Sequence, residues 1–224
     1  MKKMLCWMAF CSVVCLVAGC GPAGASGTTG AVSGIIRVEK ARVKTGGAKS
    51  AKDVVVCLTP LVPASLPPPS EHAVMDQRGL VFIPHVLAIR KGTTVDFLNS
   101  DNDRHNVYFL FDDTGETLDI GTWGPGQKVS HTYEKAVVVI TLCQLHLEMA
   151  AYILVLETPY FTVSAIDGKS QQAAYEIKGV PAVKYVLKVW NKKLKMKGGA
   201  VEIDVAQNQT AGIDIVITRS KYAK

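Results

Sequence analysis

Apolar and polar positions change over short distances along this chain. After Gly30 the apolar residues come in runs of four to eight that are rich in Val, Ile, Thr, Tyr and Phe, and clusters of Gly, Pro, Asn and Asp separate the runs. Such runs predict β-strands joined by turns. Beyond the N-terminal stretch, no segment of helical period is longer than about two turns. The chain is therefore predicted to be all-β. The predicted strands are 31–39, 53–59, 79–83, 86–90, 93–98, 105–111, 128–133, 136–143, 150–156, 159–165, 174–178, 184–190, 200–205 and 211–218.

The spacing of strands and turns is typical of β-sandwiches. A domain boundary is expected near Glu157-Thr158-Pro159, because the strand over 150–156 runs into a proline that cannot continue a ladder. This predicts one domain over 31–157 and a second over 158–224. Each is close to the size of a small sandwich.

The N-terminus has the pattern of an export signal. Lys2 and Lys3 precede an uncharged, largely apolar run of 16 residues, 4–19, which is shorter than the ~20 residues that span a bilayer. Leu16-Val17-Ala18-Gly19-Cys20 resembles the bacterial lipobox. The resemblance implies a signal peptide over 1–19, cleavage before Cys20, and lipid attachment to Cys20 that anchors the protein to a membrane.

Residues 20–30 are rich in Gly, Ser and Thr, and we expect them to form a flexible tether. The protein is thus expected to be a periplasmic or cell-envelope lipoprotein. Gly21 stands where an aspartate would favour retention in the inner membrane, so an outer-membrane anchor is favoured. Removal of two signal-peptide lysines lowers the formal net charge from +6 to +4.

The amino-acid composition excludes several classes of protein. A chain of 224 residues with 48% apolar and 20% charged residues is not disordered, collagenous or a coiled coil. Six cysteines suggest a disulfide or zinc framework, but four of them lie within the first twenty residues. Only Cys57 and Cys143 belong to the predicted folded part. Cys57 lies in an apolar strand and is expected to pack as a small hydrophobe.

The chemical signal is a short loop between two apolar strands. Cys143, His146 and Met149 are spaced C-x2-H-x2-M, between the strands 136–142 and 150–156. A thiolate, an imidazole and a thioether from one loop suit copper, and a second imidazole would complete a His2Cys plane with a weak axial Met. The site is thus predicted to hold one type 1 copper ion, Cu(I) or Cu(II).

His105 is the expected second imidazole. It lies where a polar turn, 99–104, opens the strand 105–111, so it also stands at a strand end. Asn106 follows it directly and is expected to connect the two ligand-bearing segments by hydrogen bonds behind the copper ligands.

Other chemistries fit these residues less well. Structural zinc takes four Cys, His or carboxylate ligands, and a thioether is a poor zinc ligand. The C-x-x-C-H motif of c-type haem is absent. Nothing else in the chain suggests the base and cleft of a Cys-His enzyme. Two alternatives stay open: Cys143 as a buried hydrophobe beside a loop histidine, and a structural module whose copper site has decayed.

Four stretches carry a resemblance to a known family: Met75-Asp76-Gln77-Arg78-Gly79-Leu80-Val81-Phe82-Ile83-Pro84, Gly92-Thr93-Thr94-Val95-Asp96-Phe97-Leu98-Asn99-Ser100-Asp101, His105-Asn106-Val107 and Cys143…His146…Met149. Together they resemble the plastocyanin/amicyanin class of cupredoxins, and more closely bacterial "methylamine utilisation"-type proteins with a C-terminal carboxypeptidase-regulatory-like domain. The resemblance implies a Greek-key cupredoxin sandwich followed by a small transthyretin-like sandwich. It also implies His105, Cys143, His146 and Met149 as copper ligands.

The chain departs from that family at several positions. Relatives carry Pro after the second histidine, where this chain has Leu147, so His146 is expected to leave copper more readily on reduction. The C-terminal strand motif Val180-Pro181…Lys184-Tyr185-Val186-Leu187-Lys188-Val189-Trp190 has Val183 and Asn191 where relatives have Gly and often His.

The remaining residues give weaker signals. His72, His85 and His131 have no partner at metal-ligand spacing and are expected to be satisfied or solvated. The segment 184–224 contains nine basic residues and three acidic ones. This excess of positive charge suggests a surface that meets an acidic redox partner or anionic lipid. No aromatic-basic motif indicates nucleic acid.

The expected function is therefore single-electron transport by an exported, membrane-anchored copper protein that is not an enzyme. Relatives pass electrons at the exposed edge of the second histidine, which implies that Leu145 and Leu147 form an apolar docking patch around His146. The alternative is a copper-binding protein for delivery or tolerance that uses the same ligands without redox turnover.

Overall fold

The computed structural model describes residues 28–44 and 52–219 of the chain. Within these ranges the regular structure consists of eighteen β-strands, which confirms the all-β prediction. None of the described residues forms a helix long and apolar enough to cross a membrane. The strands are β1 (Thr29–Glu39), β2 (Asp53–Pro60), β3 (Ala73–Gln77), β4 (Phe82–Ile83), β5 (Val86–Arg90), β6 (Thr94–Asn99), β7 (His105–Phe111), β8 (Thr117–Trp123), β9 (Lys128–Thr132), β10 (Val138–Leu142), β11 (Ala150–Leu156), β12 (Phe161–Ala165), β13 (Gln172–Pro181), β14 (Lys184–Trp190), β15 (Leu194–Met196), β16 (Val201–Asp204), β17 (Thr210–Gly212) and β18 (Ile215–Arg219).

The strands β3 to β11 form what we call the first sandwich. One of its sheets has the order β5-β11-β10-β7-β8, and the other has the order β4-β3-β6-β9. Inward-facing apolar side chains from both sheets form one core, in which the rings of Phe97 and Phe109 lie 5.6 Å apart. The alternation of buried and exposed positions along these strands explains why their sequence has a period of two.

The second sandwich consists of β1, β2 and β12 to β18. One sheet has the order β13-β1-β18-β15, with β17 also paired to β1, and the other has the order β12-β2-β14-β16. Its core includes the fully buried side chains of Ile36, Leu58, Leu187 and Ile215. This cluster has no member in common with the core of the first sandwich.

Strand pairing corrects the expected division into 31–157 and 158–224. β1 pairs with β13, β17 and β18, and β2 pairs with β12 and β14, so both N-terminal strands belong with the C-terminal ones. The physical reason is burial, because Ile36 and Val54 pack among side chains that follow residue 165. The first sandwich is thus inserted between two strands of the second.

The two sandwiches pack against each other through a third cluster. Val55 is fully buried although its neighbours along β2 face the core of the second sandwich, and it packs with Val86 and Leu154 of the first. The ring of Trp190 lies 5.3 Å from that of Tyr152. This contact covers the outer face of the sheet that contains β10 and β11.

Further expectations need correction. The tether expected over 20–30 includes Gly30, but this residue is buried in β1, where an added Cβ would overlap the backbone oxygen of Ala206. The predicted strand 79–83 is instead a turn at Gly79-Leu80 followed by the short β4. The sequence does not predict β3, β8 or β15: β8 is a largely exposed edge strand without a regular apolar alternation, and β15 has three residues. The expected signal peptide 1–19, Cys20 and tether residues 20–27 lie outside the described residues.

A glycine pair tests the position of β1. A Cβ at Gly34 would overlap the backbone oxygen and carbon of Ile213, whereas a Cβ at Gly212 would meet no atom within 4 Å. We expect Gly34→Ala to lower the free energy of unfolding by about 1–3 kcal/mol or more through overpacking. Gly212→Ala is the matched control and should change it by less than about 0.5 kcal/mol. The free energies of unfolding of both variants are measured in urea. Equal values would contradict the close approach of Gly34 in β1 to Ile213.

Candidate metal centre

The predicted ligands lie at one end of three neighbouring strands. His105 begins β7, Cys143 follows the last residue of β10, and Met149 directly precedes β11. β10 is antiparallel to both β7 and β11, with Leu142 paired to Tyr108 on one side and to Ala150 on the other. The end of β10 therefore lies beside the starts of the other two strands. Residues far apart in sequence meet there because of this register.

Three donor atoms form a small triangle. The Nδ1 atoms of His105 and His146 are 3.1 Å apart, and the Cys143 Sγ lies 4.0 Å from the first and 3.7 Å from the second. A metal ion bound at ~2.0–2.3 Å would separate its donors by about 3.3–4 Å. The triangle is close to that size, so the three residues fit a single bound ion. Within the described part of the chain, they form the one cluster of His, Cys, Asp and Glu donors compact enough to hold a metal.

The centre is largely shielded from water. His105 is fully buried and Cys143 is 3% exposed, whereas His146 is only partly buried. The Cys143 side chain packs in the core of the first sandwich together with Met149, which is 1% exposed. The soft donors thus face apolar surroundings, and the His146 ring lies towards the surface.

The loop from Cys143 to Met149 closes on itself. The backbone N–H of Cys143 donates to the Met149 carbonyl at 3.3 Å, and the N–H of Met149 donates to the His146 carbonyl at 2.9 Å. Leu147, which replaces the expected proline, is 91% exposed and projects from the loop. Met149 therefore lies at the base of the loop, and its role as an axial ligand stays a prediction.

Asn106 connects the two ligand-bearing segments. Its backbone N–H donates to the Cys143 Sγ at 3.5 Å, and its Oδ1 accepts the N–H of Gln144 at 3.3 Å. Its Nδ2 donates to the Asp119 carboxylate at 2.8 Å and to the Gly121 carbonyl at 3.0 Å. Asn106 is 2% exposed, so these bonds lie mostly away from water. They are consistent with its expected position behind the ligands.

Sequence reasoning did not identify Asp101 as part of this centre. Its Oδ2 lies 2.9 Å from the His105 Nε2, and its carboxylate also accepts the backbone N–H groups of Gly79 and Leu80. Burial raises the pKa of the Asp101 carboxyl, but these hydrogen bonds outweigh it and hold the pKa below its ordinary value. The signal in the sequence is a carboxylate four residues before a ligand histidine, in a polar turn.

The other histidines lie elsewhere. His72 pairs with Asp96 at 3.0 Å, and the Nδ1 of His85 lies 3.0 Å from the Ala150 carbonyl. His131 lies beside the ring of Tyr133, with 4.8 Å between centroids, and burial lowers its pKa. None of them joins the donor triangle.

Both described cysteines are free thiols. Cys57 lies in β2 of the second sandwich, where its Sγ is 3.7 Å from the Lys188 carbonyl and burial raises the pKa of the thiol. It lies in a strand, as its sequence predicts, but it is only partly buried. Cys143 is the thiol that lies beside two imidazoles.

Comparison with known proteins gives structural likenesses alone. No family model matches the chain, and no curated protein matches it. An amicyanin variant in the Cu(I) state is 25% identical over 38% of this chain and 81% of its own, with a TM-score of 0.35. A purple cupredoxin from Nitrosopumilus maritimus is 22% identical over 37% of this chain and 98% of its own, with a TM-score of 0.33.

A copper-containing nitrite reductase from Thermus scotoductus SA-01 is 26% identical over 45% of this chain and 26% of its own, with a TM-score of 0.37. TM-scores of this size do not establish a family. The assignment of the centre therefore depends on its donor atoms and on the elements that hold them.

Asn106 can be tested without any metal. Asn106→Ala removes three hydrogen bonds of a buried side chain and leaves their partners unsatisfied, so we expect the metal-free protein to lose about 2–4 kcal/mol of unfolding free energy. The control is Asn102→Ala in the exposed part of the same turn, which should change stability by less than about 0.5 kcal/mol. Chemical denaturation followed by tryptophan fluorescence measures both. Similar losses in the two variants would contradict the connecting role of Asn106.

Proposed function

We propose that this chain is a cupredoxin that binds one copper ion through His105, Cys143, His146 and Met149 and carries single electrons. The observation that carries the proposal is the triangle of one thiol and two imidazole nitrogens, with edges of 3.1, 3.7 and 4.0 Å. A thiolate with two imidazoles and a thioether close by in sequence is the donor set of blue-copper centres. Zinc would favour a fourth Cys, His or carboxylate donor over the thioether.

The chain's own residues provide rigidity at this centre. Copper, when bound, supplies a one-electron couple between Cu(II) and Cu(I). The backbone of β7, β10 and β11 holds the first histidine and the two sulfur residues in one register. The Asn106 N–H donates to the cysteine sulfur and so helps to hold it beside the two imidazoles. A donor set that is held in place needs little rearrangement when its charge changes.

The surface around His146 supports electron passage at that point. His146 is the ligand histidine with solvent exposure, and its neighbours Leu145 and Leu147 are 54% and 91% exposed. An exposed apolar rim around a partly buried ring suits brief contact with a redox partner protein. We propose that electrons enter and leave here, and that the protein acts as a carrier rather than as an enzyme.

The proposal also covers the membrane anchor and the role of the second sandwich. Cys20 is proposed to carry lipid after export, which would tether the copper centre to a membrane of the cell envelope. The second sandwich is proposed to be the carboxypeptidase-regulatory-like module. Its exposed Lys184, Lys188 and Lys195 support contact with an acidic partner surface.

One absorption spectrum tests the copper assignment. The full chain loaded with Cu(II) should show an intense thiolate-to-copper band near about 600 nm. Cys143→Ser should abolish this band. Cys57→Ser, the matched control at the other described thiol, should leave it unchanged. Copper loading without the band would contradict the electron-transfer proposal, and tight Cu(I) binding without it would favour copper delivery.

The docking surface is tested by electron self-exchange between copies of the protein. Leu147→Asp places a charge on the apolar rim, so contact between two copies becomes repulsive and the exchange rate should fall by about tenfold or more. Val62→Asp, at a 79% exposed residue in the segment that follows β2, should leave the rate unchanged. NMR line broadening in mixtures of oxidised and reduced protein gives the rates. Equal rates in the two variants would contradict electron passage at His146.

A further inference from the structure

The two ring nitrogens of His105 face different environments. Nδ1 belongs to the donor triangle, 3.1 Å from the His146 Nδ1 and 4.0 Å from the Cys143 Sγ. Nε2 lies 2.9 Å from the Asp101 Oδ2. A carboxylate can only accept a hydrogen bond, and a neutral imidazole carries one N–H. The proton is therefore held on Nε2, and the Nδ1 lone pair is directed into the triangle.

We propose that Asp101 is the positioning residue for His105: it fixes the ring tautomer and strengthens Nδ1 as a donor. A carboxylate on the far nitrogen of a ligand histidine orients the ring and raises its basicity. The proposed effect of Asp101 on the His105 tautomer concerns the metal-free protein and needs no bound copper. The effect on donor strength rests on the proposed copper function.

The carboxylate is itself held in place by the β3–β4 turn. The N–H groups of Gly79 and Leu80 donate to its two oxygens at 2.5 and 3.0 Å. On the other side, the Asp101 N–H donates to the Asn99 Oδ1 at 3.0 Å, and the Asn99 Nδ2 donates to the Trp123 carbonyl at 3.2 Å. Asp101 thus has little freedom to turn away from the ring.

The turn that holds Asp101 has an unusual backbone. Gly79 and Leu80 both have positive φ, +65° and +58°, and the Arg78 N–H closes the turn on the Val81 carbonyl at 3.1 Å. A leucine in the left-handed region costs about 1–2 kcal/mol. The N–H of Leu80 points at the Asp101 carboxylate in this conformation, so the strain serves the hydrogen bond. Backbone strain of this kind concentrates at functional sites.

The negative charge of Asp101 is also expected to change the reduction potential of bound copper. A negative charge next to the ring N–H favours the more highly charged metal state, because it makes the imidazole a stronger donor. Asp101 is therefore expected to lower the potential relative to a neutral group at the same place. The neutral amide of Asn tests this, since it preserves the size of the side chain while removing the charge.

The first experiment uses the metal-free full chain. With 15N-labelled histidine, long-range 1H–15N spectra report the tautomer of each of the five histidines, and His→Gln variants assign the signals. We expect His105 to be protonated at Nε2. Asp101→Leu, which removes the acceptor, should move the proton partly to Nδ1, and Asp101→Asn, whose amide oxygen can still accept, should do so to a smaller extent. Asp103→Asn, an exposed acid two residues away, removes the same charge and should leave the spectrum unchanged. A wild-type His105 protonated at Nδ1 would overturn the proposal.

The second experiment uses the copper-loaded protein. Asp101→Asn should raise the potential more than Asp103→Asn, and Asp101→Leu should weaken Cu(II) binding by about 10- to 100-fold. Unfolding midpoints of the same variants show that the comparison is made on folded protein. If the wild type has the thiolate-to-copper band but the Asp101→Asn potential matches that of Asp103→Asn, the positioning role is wrong. If the wild type lacks the band, the copper proposal fails and the tautomer result stands by itself.

Discussion

The register of β10 between β7 and β11 is the constraint on which the candidate metal centre depends. Antiparallel pairing on both sides brings the start of β7 and the start of β11 to the point where β10 ends. A one-residue shift of either pairing would turn the side chains of that strand to the opposite face. The buried side chains of Val107, Phe109, Val139 and Ile153 prevent such a shift, because it would expose them. The apolar core therefore decides which donors meet.

Part of this arrangement could be predicted from the sequence. The spacing C-x2-H-x2-M lies between two apolar runs, so a ligand loop between paired strands follows from local pattern alone. The place of His105 at a strand start predicts it as a ligand, and the structure brings its Nδ1 to the two other donors. Both inferences depend on residues at the ends of strongly patterned strands, and the structure brings these residues together. Their roles as metal ligands stay predictions.

The features that escaped prediction depend on pairing over long distances. The strands β1 and β2 have the same apolar composition as their neighbours, and nothing local shows that they pair with strands more than a hundred residues later. From the sequence, Asp101 is predicted to be an ordinary turn residue, because only the fold brings it beside His105. From the sequence, Gly30 is predicted to belong to the flexible tether, whereas the close approach of Ala206 requires a residue without a side chain at this position. In each case the missing information is tertiary.

The insertion of the first sandwich between β2 and β12 has a consequence for the order of folding. During synthesis, all strands of the first sandwich emerge before β12, so the ligand-bearing part can complete its sheets early. β1 and β2 must wait for partners that are translated last, with unpaired edges in the meantime. A nascent chain would thus have its first sandwich assembled while its N-terminal strands still lack their sheet. A fragment ending at residue 157 would retain that state permanently.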